Sequence, residues 1–100
     1  TDFIMKVVIS PSTNPKKKYM AIFTDSPTFT KKTTHFGSAG MSDYTKNKDK
    51  ERKQRYLDRH RKRENWKDPT TAGALSRWIL WNQPTLKGSI ADYKKRFNLS

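Results

Sequence analysis

Cysteine is absent from this sequence, which excludes a disulfide framework, a thiol nucleophile and a cysteine-ligated zinc. Acids are scarce: nine Asp and Glu stand against 22 Lys and Arg, leaving a formal net charge of +13 on 100 residues. Hydrophobic residues make up only 32%, below the roughly 45–50% of an ordinary globular domain. No apolar run approaches the ~20 residues of a membrane-spanning helix. The stretch Phe3–Ile9 is too short, and lacks the basic leader, for a secretory signal. Histidine occurs only at His35 and His60, with no i,i+4 pair or other ligand spacing. The expectation is therefore a chain with no metal, no cofactor and no small-molecule substrate.

Aromatics, at 12% with three Trp, argue against a disordered basic tail. Charge alone favours disorder, but spaced aromatics imply packing. A chain of this size buries a modest core, and like charge works against compaction. One small domain, 1–100, is expected, resting in part on a partner.

The charge is not spread evenly. Residues 1–30 carry a net +2, residues 31–67 a net +8 and residues 68–100 a net +3. Asp2–Ile9 and Lys17–Thr24 are β-branched runs separated by Ser-Pro-Ser-Thr-Asn-Pro, which predicts an antiparallel hairpin. Thr28–Phe36 reads as a third strand whose Lys31-Lys32 pair suits a sheet edge. Apolar residues on both faces of the first two strands suggest a sheet covered on both sides. Residues 37–47 form a loop containing Gly37-Ser38-Ala39-Gly40. That tetrad lacks the Gly-Lys-Ser/Thr ending of a P-loop, and reads as a positive-φ turn or, alternatively, a nest of N–H groups around an anion.

The remainder is helical. Residues 48–63 are rich in helix formers, with Tyr56 and Leu57 the sole apolar residues and Glu51–Arg55 an i,i+4 pair. Thr70 or Thr71 can cap a helix over 72–81, in which Leu75, Trp78 and Ile79 form a stripe. Thr85 caps a last helix over 86–97 with the stripe Leu86, Ile90, Tyr93 and Phe97. Gly88 suggests that its regular part starts at Ser89, with Asp92 closing a capping-box-like turn. The fold class is α+β: a three-stranded antiparallel meander (about 3–9, 17–24 and 28–36), a basic helix in 48–67, and a helical hairpin in 70–99.

No set of side chains converges for catalysis. Asp43 and Asp92 have no carboxylate partner for acid–base work, His35 reads as a polar strand residue, and His60 as one more solvated group. The strong signal is the basic helix. Arg52, Arg55, Arg59 and Arg63 recur along one face, with Lys48, Arg61 and Lys62 beside them. Such a face binds phosphates through counterion release or carboxylates through guanidinium forks; it can also simply be solvated. The helix has one Gln and no Asn for adenine readout. Trp78 belongs to the core stripe, whereas Trp66 and Trp81 are candidate partner anchors or packing residues.

The strings His35–Thr45, Lys48-Asp49, Arg55–His60, Trp66, Gly73–Asn82, Pro84-Thr85-Leu86 and Ser89–Tyr93 resemble a family of small basic proteins of large eukaryotic double-stranded DNA viruses, of the algal and giant kinds. The resemblance spans roughly Lys16 to Leu99. It implies a viral origin and a place in the virion, with host cytoplasm or nucleus as the site of assembly. The expected function is then a minor capsid component that bridges acidic surfaces of other virion proteins through its basic helix and aromatic anchors. The alternative is a basic protein bound to the viral DNA in packaging or transcription.

Overall fold

The computed structural model describes residues 4–26 and 31–100. The expected strand starts at residues 3 and 28, and the turn at Pro27, lie outside the described residues. Three antiparallel strands, β1 (Ile4–Pro11), β2 (Lys17–Ser26) and β3 (Lys31–Ser38), form one sheet in the order β1-β2-β3. The first hairpin closes where Lys17 N–H donates to Asn14 O and Lys16 N–H to Asn14 Oδ1, both at 3.0 Å. An Asn side chain that mimics a backbone turn in this way is what a Ser/Thr/Asn/Pro linker supplies.

Pairing places Val7 opposite Phe23, Ile9 opposite Ala21, and Tyr19 opposite Phe36. These residues share one face, and Val7, Ala21, Phe23 and Phe36 are buried there. On the other face Val8 sits opposite Ile22, and Val8 is 57% exposed. The expectation of a sheet covered on both sides is thus corrected: the helices available suffice for one face. β3 is an edge strand, as its lysine pair suggested. At the opposite edge Ser100 bridges β1, donating to Met5 O and accepting from Val7 N–H at 3.0 Å each.

Two short connections lead into the basic helix. Asp43 caps α1 (Tyr44–Asn47), then Lys48 turns into the left-handed region at φ 53°. Asp49 caps α2 (Lys50–His60), accepting from Glu51 and Arg52 N–H at 3.0 and 3.2 Å. The basic helix therefore begins at Lys50 rather than 48. The cause is local: Asp49 offers a stronger cap than helical continuation through Lys48. Arg61, Lys62 and Arg63 form the turn after it. The expected Glu51–Arg55 ion pair is not formed; Gln54 donates to Asp58 one turn on instead, at 3.0 Å.

Thr71 caps α3 (Ala72–Leu75), as expected. The chain then departs from the regular helix that the periodicity predicts over 72–81. Residues Ser76–Leu80 form a π turn, with Trp81 N–H donating to Ser76 O at 3.0 Å. The extra residue in the turn lets Leu75, Ile79, Leu80 and Trp81 all bury, which a 3.6-residue repeat would not permit for so many near neighbours. Thr85 caps α4 (Leu86–Arg96), accepting from Gly88 N–H at 3.1 Å. The capping box expected at Ser89 does not exist. Ser89 is buried and ties its hydroxyl to the Gln83 backbone, while Asp92 accepts from Asn82.

The core is one cluster drawn from every layer. It contains Val7, Phe23 and Phe36 of the sheet, Tyr44, Tyr56 and Leu57 of α1 and α2, Leu75 and Ile79, and Tyr93 of α4. Trp78, Leu86, Ile90 and Phe97 of the predicted stripes pack against it, half-buried. Tyr93 is fully buried and donates to Pro69 O at 2.6 Å; burial pushes its phenol pKa up.

The hairpin of the last two helices is held by a polar clasp. Asn82 Nδ2 donates to Trp78 O at 3.1 Å and to Asp92 Oδ2 at 2.7 Å. The Asn82 hydrogen bond holds the Asp92 carboxyl below its usual range, and Arg96 adds to this. A depressed carboxyl pKa stabilises the fold above the unfolded value of about 3.9, and that contribution is lost as the pH falls below it. Asp92→Asn is expected to make unfolding less steeply dependent on pH in that acid window, as read by urea midpoints at stepped pH. An unchanged acid profile in the variant contradicts the assignment.

Candidate functional site

α2 meets the core through Tyr56 and Leu57, both buried, with Lys53 and His60 half-buried beside them. Helical geometry then turns Arg52, Arg55, Arg59 and, beyond the helix end, Arg63 onto one flank of the buried face. All four are exposed. Among the described residues the ion pairs are Lys18–Asp43, His60–Glu64 and Arg96–Asp92, so none of the described carboxylates pairs with the arginine flank. Lys48 lies before the helix cap, exposed, while Arg61 and Lys62 stand in the turn after the helix.

Beside this flank lies an open cleft of about 520 Å³. One wall is Arg52, Arg59 and Arg63 of the flank. The other is Lys17 and Gly37 at the end of the β2–β3 hairpin, and the floor is Leu80 and Trp81. Arg55 is not part of it; with Met41 and Asp58 it borders a second, shallower depression. Met41, which is 60% exposed, belongs to the lip of both.

The sheet-side wall is fixed by one buried ion pair. Lys18 Nζ donates to Asp43 Oδ2 at 2.5 Å, with the two side chains only 8% and 2% exposed. Asp43 Oδ1 accepts from both the N–H and the hydroxyl of Thr45. One carboxylate thus ties β2 to the start of α1. Gly37 completes the wall: its φ is +77°, and a Cβ there would lie 2.7 Å from Leu80 Cδ1. The turn reading of Gly37–Gly40 fits, since Gly40 also has φ +85°. The anion-nest reading is weakened, because Ala39 and Met41 N–H groups are already bonded to Lys16 O and Ser38 O.

The helix-side wall holds a stack of three rings. Tyr56 lies 4.1 Å from the His60 ring and 4.5 Å from the Trp81 ring, near parallel to both. His60 Nδ1 is 2.5 Å from Glu64 Oε1. His60 is therefore a packed, hydrogen-bonded wall residue, and the expectation of a merely solvated group is corrected. Burial, reinforced by Glu64, pushes the Tyr56 phenol up to about 12. His35 remains a polar strand residue, with its Nδ1 2.7 Å from Ser12 Oγ.

The candidate anchors resolve differently from one another. Trp81 is buried and forms floor, so it offers no protruding side chain. Trp66 is half-buried: its Nε1–H donates to Glu64, its carbonyl accepts from Trp78 Nε1–H at 3.0 Å, and the Arg77 guanidinium lies 5.4 Å from its ring. The Trp78 ring carries the Arg77 and Arg96 guanidiniums at 4.1 and 4.0 Å. These aromatic surfaces are consumed by the fold.

Cations also crowd the base of α2 and the π turn. Lys53 donates to Asn82 O at 2.8 Å, and its pKa is lowered by burial and then by Arg77 and Lys50. Arg77 is lowered likewise by burial, Arg96 and Arg61. Burial is the larger cause in both, and neighbouring cations add to it. Lys17, Lys18, Asp43, Met41 and Leu80 were not singled out as site residues by sequence reasoning. Their roles arise from contacts far apart in the chain, and no local pattern announces them.

The fold and site together define a small α+β module with a cleft whose floor is apolar and whose exposed lining is rich in Lys and Arg. The chain belongs to a family of unknown function, DUF5754, whose family model matches residues 7–60. That span covers most of the sheet, the Lys18–Asp43 pair and α2, and stops before Arg63 and the Leu80–Trp81 floor. No curated protein matches the chain, and no solved structure matches it.

Proposed function

We propose that the protein is a non-enzymatic structural component of a large DNA virus particle, where it cements neighbouring capsid proteins by docking the arginine flank of α2 against their acidic surfaces. The viral setting rests on the sequence resemblance. The observation that carries the docking surface is that Arg52, Arg55, Arg59 and Arg63 stand exposed on a structured flank with no carboxylate partner among the described residues. A folded chain of net charge +13 repels itself, and an acidic neighbour relieves that repulsion. Guanidiniums pair carboxylates bidentately, which adds geometric specificity to the attraction.

A second reading, binding to duplex DNA of the genome, is favoured by one observation. The cations stand on two elements, with Lys17 of β2 lining the same cleft as Arg52 and Arg59 of α2, an arrangement that also suits a phosphate backbone. Single-strand binding is disfavoured, because base stacking needs an open ring face and both faces of Tyr56 are covered by His60 and Trp81.

The test is charge reversal. Arg55→Glu/Arg59→Glu/Arg63→Glu is expected to lose incorporation into assembling particles while keeping the parent's circular dichroism. Normal incorporation of the variant, together with unchanged DNA affinity, overturns the reading.

A further inference from the structure

The cleft beside α2 has a composition that the flank alone does not explain. Its rim is cationic on both sides, from Lys17 on the sheet and Arg52, Arg59 and Arg63 on the helix. Its two acids are held within the fold, Asp43 by the Lys18 ion pair and Glu64 by hydrogen bonding with the His60 ring and the Trp66 indole N–H. Its floor is apolar, with Leu80 and Trp81 2% and 7% exposed. Its lip carries Met41, an unbranched side chain exposed to solvent, of the kind that adapts to varied partners.

We infer that this cleft takes an extended acidic peptide segment of a partner protein, one that places a single apolar side chain on the Leu80–Trp81 floor against Met41. The inference rests on the proposed acidic-partner reading and deepens it. Charge complementarity fixes the acidic character of the occupant: an anionic strand in the cleft meets Lys17 of the sheet and the arginines of the helix, while Asp43 and Glu64 already have partners within the fold. Met41 fixes the apolar residue, since a purely polar occupant would leave this 60% exposed side chain beside the apolar floor uncovered. A stacked nucleobase is disfavoured because Tyr56 has no open face. The volume of about 520 Å³ lies within the roughly 300–1,000 Å³ of sites that enclose a ligand group, so it accommodates a short peptide stretch rather than a folded domain.

The test uses the full chain and three fluorescein-labelled probes, read by anisotropy. The probes are a short Asp/Glu-rich peptide with one central Phe, the same peptide with Ala in place of Phe, and a short DNA duplex. Lys17→Glu and Met41→Glu alter exposed rim positions that leave the core intact, and circular dichroism verifies this. Each is expected to weaken binding of the Phe peptide about tenfold, and the Ala peptide is expected to bind the parent about tenfold more weakly than the Phe peptide. Lys87→Glu, an exposed position outside both the cleft and the arginine flank, is expected to change binding less than about twofold. If Lys17→Glu and Met41→Glu are silent while Arg55→Glu weakens binding, the cleft inference is overturned and the flank reading survives. If the acidic peptides fail to bind and duplex DNA binds tightly, the cleft inference and the acidic-partner reading both fall.

Discussion

Asp43→Ala is expected to lower the unfolding free energy by about 3–5 kcal/mol, the usual consequence of removing one member of a buried ion pair. Lys18 Nζ would remain 8% exposed with no counter-charge, in a protein already carrying net +13. The capping bonds to Thr45 would go as well, a loss of about 1 kcal/mol that is not additive with the first. Domains of this size have roughly 5–15 kcal/mol to lose, so the variant should be largely unfolded on warming. Asp43→Asn separates the two contributions, because its amide oxygen still accepts from Thr45 N–H while the charge is gone. Urea unfolding should rank parent, Asn variant, then Ala variant. Both variants within about 1 kcal/mol of the parent would show that the pair is not structural.

The second large effect is on association. Arg55→Glu/Arg59→Glu/Arg63→Glu is expected to weaken affinity for the acidic partner by about 100-fold, or about 2.7 kcal/mol. Each exposed ion pair contributes only about 0.2–1 kcal/mol, but reversal replaces attraction with like-charge contact, which is costlier than deletion. Stability should move the other way. The three positions are exposed and form none of the ion pairs among the described residues, and lowering a large positive charge relieves self-repulsion. Denaturant midpoints equal to or above the parent, with lost binding, are the expected pair of results. Lost binding with lost stability would mean that the flank supports the fold.

The elements of this protein were legible because their signals are local. The β-branched run Val7-Val8-Ile9, the Ser/Thr/Asn/Pro linker that ends at Pro15, the Lys31-Lys32 edge and the caps at Thr85 and at one of Thr70 and Thr71 each act within a few residues, and the structure has them where the pattern puts them. The helix shift to Lys50 was readable in principle, since Asp49 is a strong capping residue. The π turn at Ser76–Leu80 was not, because it is imposed by how many large side chains the core must receive from one short helix. The same holds for the site. The arginine flank follows from spacing along α2, but the opposing wall depends on Lys18 meeting Asp43 and on Gly37 meeting Leu80. Those contacts join residues that tertiary packing alone brings together. Trp81 shows the same lesson in reverse: its place near a turn suggested an anchor, and packing on Tyr56 made it floor.

The central claim is that the arginine flank holds a protein surface of the particle rather than its genome. On the proposed viral setting, purified particles of a large DNA virus carrying this sequence, opened, treated with nuclease and sedimented as DNA-free shells, test it most directly when each fraction is assayed for this chain. The account predicts that the protein stays with the shells and leaves them only when salt is raised enough to screen exposed ion pairs. Release with the digested DNA at low salt, or absence from the particle altogether, would contradict it.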